Sequence, residues 1–392
     1  MSTGNDKGAD AGSPYLGRLP SLDGWRAIFI SIVLNSHFGR LDLPYAFHFL
    51  IDGELGVRCF FVLSGLLITY LLLVEAGQFE TVSIVRFYQR RALRIVPVYL
   101  CFLAVIFAEQ VQGSLAIPVS SWIGLLTFTA NFCLNLEDWF VFHLWSLSIE
   151  QQFYLVWPAL FVVLRPWKSP RPILWVLLAV ICLIVPYRLA AGAINFWYTS
   201  AQFGQLAANS QAWALLAFAK DHFSWAFRAS ATFHFLDCLA IGCACAALLY
   251  HFPAFFRNMS TSVTAFLFVV SISFVIVPAG LATDIRWLRG ALYLFGNSVQ
   301  AVGCGILLIM AICKPKFLPY RMLNTRALVF VGMISYSMYI WQQPFMHLWL
   351  SARSAMAKLC AVVVVAWLSY WIIEKPFNAV RIANAQSYRP TI

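Results

Sequence analysis

Residues 22–37 read LDGWRAIFISIVLNSH, an apolar stretch that carries three ionisable groups. Asp23 and Arg26 lie near its start and His37 lies at its end. Ionisable side chains inside a membrane segment are costly and usually functional. On a helix, Arg26 and His37 are close to three turns apart, so they share one face about 16 Å apart along the axis. The stretch predicts a membrane helix with the His37 imidazole inside it and the Arg26 cation near one surface. Asp23, three residues before Arg26, is the expected partner of that cation.

The whole chain is far more apolar than a soluble domain. Of its 392 residues, 61% are hydrophobic and 11% are charged, against about 25% charged in soluble domains. We therefore expect an all-α fold, a polytopic transmembrane helical bundle of about ten spans. The expected spans are roughly 22–38, 56–74, 92–111, 143–164, 173–190, 232–250, 261–279, 289–312, 326–349 and 357–374.

The distribution of basic residues predicts the orientation. Most of the 27 Lys and Arg residues fall on one side of the membrane, and the positive-inside rule then places both termini in the cytoplasm. Basic loops against anionic lipids account for most of the net charge of +11, so membrane lipids are expected partners and nucleic acid is not. The ten cysteines show no metal-ligand or disulfide spacing, and we expect no metal.

The organisation is expected to be simple. Residues 21–377 form one transmembrane domain between a disordered cytoplasmic tail at 1–20 and a cytoplasmic C-terminal tail at 378–392. No loop is long enough to bury a core of its own. The aromatic outer segment at about 191–231 is expected to form a membrane-hugging lid.

A basic segment, RFYQRRALRIVPVYL, occupies residues 86–100. Arg86, Arg90 and Arg94 recur every four residues with Arg91 beside them, so a helix here presents a stripe of guanidinium groups. Such a stripe either anchors the protein to lipid headgroups or binds phosphate. Because Arg binds phosphate bidentately and the segment contains four Arg and no Lys, we favour phosphate binding by this stripe.

A second polar stripe lies in HLWSLSIEQQFYLVWP, residues 143–158. His143, Ser146, Glu150 and Tyr154 are three and four residues apart and share one helix face. Glu150 must face the bundle interior or water rather than lipid. The stripe is either a network that joins helices or part of a catalytic site. We weigh both equally for Glu150 and favour a structural role for Ser146 and Tyr154.

Six motifs, in order, resemble the acyltransferase-3 family of integral membrane acyltransferases. They are LDGWR with His37 eleven residues beyond Arg26, GVRCFFVLSGLLIT, FYQRRALRIVPVYL, HLWSLSIEQQFYLVWP, SYSMYIWQQP and EKPF, and together they cover nearly the whole chain from Leu22 to Phe377. The chain departs from the family at two positions. Family members often have Asp where this chain has Arg58 and His where it has Gln342.

The resemblance implies a membrane O-acyltransferase that moves an acyl group, most often acetyl, from cytoplasmic acyl-CoA to a hydroxyl group. In that family the Arg and His of the first helix are critical, and these fall on Arg26 and His37. The arginines of the third motif also matter there, and they map to Arg90, Arg91 and Arg94.

The expected reaction is acetyl transfer from acetyl-CoA to a cell-surface or secreted carbohydrate, or to a lipid-linked glycan, at a bacterial cytoplasmic (inner) membrane. His37 is a candidate general base for the acceptor hydroxyl or a transient acyl carrier. Arg26 and Glu150 are the other catalytic candidates. A macrolide-like acceptor is one alternative. Another is a transporter or flippase that uses these three residues as a relay, although the chain lacks the paired repeats of many such folds.

Overall fold

The computed structural model describes residues 21–38, 52–134, 138–203, 232–280, 286–347, 349 and 354–386. These residues are almost all helical, and they form no β-strand. The helices are α1 Leu22–Phe38, α2 Gly53–Phe79, α3 Ile84–Val111, α4 Val119–Leu126, α5 Ala130–Cys133, α6 Trp139–Phe142, α7 Leu144–Leu164, α8 Arg171–Phe203, α9 Leu236–His251, α10 Pro253–Arg257, α11 Thr261–Gly280, α12 Arg286–Cys313, α13 Leu318–Met322, α14 Arg326–His347, α15 Ala355–Ser369 and α16 Lys375–Gln386. The predicted N-terminal tail and most of the predicted lid lie outside the described residues.

Seven helical stretches in the described part of the chain are long and apolar enough to cross a membrane. They are Gly53–Phe79, Ile84–Val111, Trp139–Leu164, Arg171–Gly192, Thr261–Pro278, Gly290–Cys313 and Ala355–Val380. The all-α membrane fold is therefore confirmed, and the protein is an integral membrane protein. Helices α1 and α9 are shorter, at 17 and 16 residues, and α14 carries Ser, Tyr and Gln side chains along its 22 residues. The count of about ten spans and the cytoplasmic termini stay predictions.

Helix α2 lies at the centre of the bundle, where it packs against α1, α9 and α12. Two glycines allow the close contact between α2 and α9. A Cβ on Gly65 would meet the backbone carbonyl of Leu239, and a Cβ on Gly242 would meet that of Val62. In a membrane, apolar burial does not drive helices together, so small residues that let backbones approach take on that role.

A buried ion pair joins α8 to α9 and α12. Arg188 of α8 is 1% exposed and donates to the Asp237 carboxylate of α9 at 3.0 Å. Arg188 also donates to the Leu294 carbonyl of α12 at 2.7 Å, and the Ser298 hydroxyl of α12 donates to Asp237 at 2.5 Å. A charge in the interior of a membrane protein needs such partners because it is otherwise expensive to bury.

Helix α1 packs along α14, and this contact fixes the start of α1. Gly332 of α14 faces the backbone carbonyl of Asp23, with no room for a side chain between them. Just before α1, the Ser21 N–H donates to the Asn324 side chain at 2.9 Å. The first turn of α1, which carries Arg26, is thereby held against the start of α14.

Candidate active site

A cavity of about 110 Å³ lies among α1, α2, α3, α7 and α14. A volume of this size holds several water molecules. Each of the five helices contributes polar groups to its wall. These groups are Arg26, Ser64, Arg91, Arg94, Ser146, Glu150, Tyr154, Ser335, Tyr336 and Tyr339. The cavity thus joins the predicted catalytic helix α1 to both predicted polar stripes.

Three guanidinium groups converge on this cavity. Arg26 forms the predicted ion pair with Asp23, at 2.8 Å. The Arg91 guanidinium lies over the aromatic rings of Phe87 and Tyr154, 5.8 and 5.6 Å from the ring centroids. Arg side chains often stack in this way on aromatic faces, and guanidinium groups bind planar anions through paired N–H donors.

Arg94 faces carboxylates at longer range than a salt bridge. In the part of the chain that the structure describes, it forms no salt bridge within 4 Å. Two carboxylates, Glu150 and Glu374, lie within longer electrostatic range of it. A guanidinium in this setting favours an anionic ligand that makes direct, charge-assisted hydrogen bonds.

Arg90, the third predicted phosphate-binding arginine, has a different partner. It forms a salt bridge with Glu75 at 2.9 Å, and Glu75 also accepts the Ser83 backbone N–H at 3.0 Å. Arg90 does not line the cavity. The structure therefore brings Arg91 and Arg94 together with Arg26, whereas Arg90 closes the turn between α2 and α3.

Glu150 is the carboxylate that lines the cavity. The Ser64 hydroxyl of α2 donates to it at 2.7 Å. The Tyr154 hydroxyl donates to Ser64 at 3.1 Å and lies 3.4 Å from the other carboxylate oxygen. These contacts fix the orientation of the carboxylate beside the arginines, so Glu150 is positioned to accept a hydrogen bond from a ligand.

His37 lies at the far end of α1 from Arg26 and does not line the cavity. It is within electrostatic range of His143, which directly precedes α7. A chain of hydroxyl groups connects this region to the cavity wall. Ser146 donates to the Tyr339 hydroxyl at 2.6 Å, and Tyr339 donates to the backbone carbonyl of His143 at 2.6 Å. The structure thus separates the predicted base from the arginines, and hydroxyl groups of the cavity wall reach the backbone of His143.

Sequence reasoning missed the position of Glu374. This residue ends a π-helical turn, Tyr370–Glu374, that follows α15, and it is 7% exposed. It accepts a hydrogen bond from the Ser337 hydroxyl of α14 at 2.5 Å. π-Helical turns are often found at functional sites. The EKPF motif was the available signal, but its place at the end of an apolar segment suggested the membrane surface rather than the interior.

A family model described as an acyltransferase domain matches residues 19–374. The chain belongs to the acyltransferase-3 family. This confirms the resemblance that the ordered motifs indicate.

Two curated relatives have similar sequences. The peptidoglycan O-acetyltransferase OatA of Listeria monocytogenes is 25% identical, over 92% of this chain and 56% of that protein. The O-acetyltransferase OatA of Staphylococcus aureus is also 25% identical, over 92% of this chain and 57% of that protein. The chain therefore spans little more than half the length of these relatives. No solved structure matches it significantly.

Proposed function

We propose that this protein is a membrane O-acyltransferase that moves an acetyl group from cytoplasmic acetyl-CoA to a hydroxyl group of a cell-surface carbohydrate. Membership of the acyltransferase-3 family supports the reaction class. The observation that carries the donor assignment is the convergence of Arg26, Arg91 and Arg94 on one cavity inside a membrane bundle.

Coenzyme A combines phosphate groups with a long, mostly neutral thioester arm. The phosphates require fixed cations, and guanidinium groups bind them through paired N–H donors. Arg91 and Arg94 lie near the start of α3, on the side that the basic loops assign to the cytoplasm. The arm then extends between the helices along the cavity, past Glu150 and Ser64.

His37 is proposed as the general base. The acceptor oxygen attacks the thioester carbonyl carbon, the carbon–sulfur bond breaks, and the thiolate leaves. The imidazole takes the hydroxyl proton and returns it to the departing sulfur, a role for which histidine is the most common side chain. The separation of about 16 Å between Arg26 and His37 along α1 is a distance that an extended pantetheine arm covers.

The acceptor class follows from the relatives. One of them is named a peptidoglycan O-acetyltransferase, which supports a cell-wall carbohydrate as acceptor and the bacterial cytoplasmic membrane as location. An acceptor that faces outward also fits the position of His37 at the opposite end of α1 from the cytoplasmic arginines. The donor and acceptor then enter from opposite sides of the membrane and meet inside the bundle.

The test uses the full chain, purified in lipid nanodiscs, with radiolabelled acetyl-CoA and chitotetraose as the carbohydrate. We expect labelled sugar and free CoA thiol in equal amounts. His37→Ala and Arg26→Ala should abolish transfer while the melting temperature stays within a few degrees of the original. Arg321→Ala, a change at an exposed arginine that does not line the cavity, is the matched control and should keep full activity.

Each part of the proposal has its own contrary result. A fully active His37→Ala protein removes His37 from the mechanism. A protein that binds chitotetraose but neither binds nor consumes acetyl-CoA overturns the donor assignment. Consumption of acetyl-CoA with no acetylated sugar overturns the acceptor assignment.

A further inference from the structure

A proline in α14 determines how His143 is held. Helix α14 continues through Pro344, which has no N–H to donate to the carbonyl of Ile340, four residues earlier. That free carbonyl lies 3.2 Å from Nε2 of His143. Because a carbonyl oxygen only accepts hydrogen bonds, Nε2 must carry the proton. In the neutral ring, the other nitrogen, Nδ1, is then a bare acceptor.

This acceptor is buried, and nothing in the described part of the chain donates to it. His143 is 4% exposed, and its Nδ1 has no hydrogen-bond partner among those residues. The rings of Phe102 and Tyr339 pack edge-to-face against the imidazole, so its position is fixed. A buried acceptor without a donor costs stability, and native proteins rarely keep one without a functional reason.

Gln342 presents a matching pair of unused groups. It is 0% exposed, and neither its amide nitrogen nor its amide oxygen has a hydrogen-bond partner in the described residues. It lies three residues beyond Tyr339 and therefore on the same face of α14. Tyr339 contacts His143 and also lines the cavity. His143 and Gln342 are thus both neighbours of Tyr339, a residue of the cavity wall: His143 packs against its ring, and Gln342 lies about one helical turn beyond it.

We propose that His143 Nδ1 and the Gln342 side-chain amide form a subsite for a hydroxyl group of the acceptor. A hydroxyl donates one hydrogen bond and accepts others. It would donate to Nδ1 and accept from the Gln342 NH₂ group, which would give a partner to Nδ1 and to the Gln342 amide nitrogen. The subsite lies toward the His37 end of α1, because His143 is within electrostatic range of His37. This inference rests on the proposed function, since it assigns the place of the acceptor in that reaction.

Two substitutions of His143 separate ligand binding from a structural role. His143→Gln places an NH₂ group near the position of Nε2, so it keeps the bond to the Ile340 carbonyl and loses the Nδ1 acceptor. His143→Asn places an oxygen near the position of Nδ1, so it keeps the acceptor and loses the bond to Ile340. The measurement is the dissociation constant for chitotetraose of the full chain in nanodiscs, with acetyl-CoA binding measured in parallel.

We expect His143→Gln to bind chitotetraose about tenfold more weakly, which is the effect of one lost hydrogen bond to a ligand. His143→Asn should bind it within about threefold of the original protein. Neither change should alter acetyl-CoA binding. Unchanged chitotetraose binding by His143→Gln overturns the subsite while leaving the proposed function intact. An original protein that neither binds nor acetylates chitotetraose overturns the proposed function itself, and the subsite with it.

Gln342→Met gives a second test that does not depend on the folding of the His143 variants. Met has a similar volume and removes two buried polar atoms that have no internal partners, so the melting temperature should rise. Chitotetraose binding should nevertheless weaken by about threefold or more. A lower melting temperature with unchanged binding would show that Gln342 is structural and would overturn its place in the subsite.

Discussion

The first prediction concerns Arg90 and Arg94, which lie about one helical turn apart in the basic stripe that the sequence predicts. The structure gives them different surroundings. Arg94 lines the cavity and lacks a salt bridge among the described residues, whereas Arg90 is paired with Glu75. Replacing Arg94 with Gln should therefore weaken donor binding, and replacing Arg90 with Gln should mainly lower stability.

The magnitudes follow from these contacts. A charge-assisted contact between a guanidinium and a phosphate contributes about 1.5–3 kcal/mol. Its loss in Arg94→Gln corresponds to roughly 10- to 150-fold weaker acetyl-CoA binding. The Arg90 side chain is 30% exposed and that of Glu75 is 9% exposed, so this pair lies between an exposed and a buried one. Arg90→Gln should lower the free energy of unfolding by about 1–2 kcal/mol.

The assay is equilibrium binding of acetyl-CoA to the full chain in nanodiscs, at low and at high salt, with melting temperatures measured on the same samples. Arg94→Lys keeps the charge but loses the paired N–H geometry, so its affinity should lie between those of the original protein and Arg94→Gln. Salt should weaken binding by the original protein more than binding by Arg94→Gln. Equal loss of affinity in Arg90→Gln and Arg94→Gln would refute the reasoning, as would unchanged affinity in Arg94→Gln.

Three further predictions test the site and the bundle. Glu150→Gln should slow transfer at least tenfold while acetyl-CoA binds as tightly or more tightly, because the carboxylate of Glu150 in the cavity wall no longer opposes the phosphates; weaker donor binding in a calorimetric titration would count against this. Arg188→Ala should lower the free energy of unfolding by about 3–5 kcal/mol by stranding Asp237, and Arg188→Met combined with Asp237→Leu should recover much of that loss in thermal melts. Gly65→Ala should destabilise the protein by about 1–3 kcal/mol through its contact with backbone, whereas Gly290→Ala, with open space around it, should not; equal melting temperatures would contradict the close packing of α2.

Local periodicity predicted much of the site. The three-residue spacing of Asp23 and Arg26 predicted their ion pair, and the structure contains it. The spacing of His143, Ser146, Glu150 and Tyr154 predicted one shared face, and the last three line the cavity whereas His143 does not. Both patterns depend on the geometry of a single helix, which the sequence carries in full.

Local sequence patterns do not predict the contacts between helices. On α3, Arg90 and Arg91 lie on opposite sides of Arg94, offset by about 40° and 60° around the axis. By spacing alone, either Arg90 or Arg91 can share a face with Arg94. The position of Glu75 on α2 decides that Arg90 forms a salt bridge there and that Arg91 lines the cavity. The hydrogen bond from Ser64 to Glu150 joins residues that are 86 positions apart, and no local pattern predicts it.

Arg58 stands where members of the family often have Asp, so this bundle contains a positive charge at a position that often carries a negative one. The structure shows how that positive charge is compensated. Arg58 is buried at the start of α2 and donates to Asp52 at 2.7 Å and to Glu54 at 3.1 Å. Asp52 also caps α2 by accepting the Leu55 N–H. Two nearby carboxylates therefore balance the cation, so Arg58 requires no ligand to explain it.

The presence or absence of a nearby carboxylate separates the structural arginines of the interior from those proposed to bind a ligand. A buried charge is expensive, so a structural arginine is expected to have a carboxylate at hydrogen-bond distance. Arg58 and Arg188 meet that expectation. Arg94 does not meet it in the described part of the chain, although it faces a cavity with room for a ligand. Its charge is best balanced by an anion that arrives from outside the protein, and a donor that carries phosphate groups provides one.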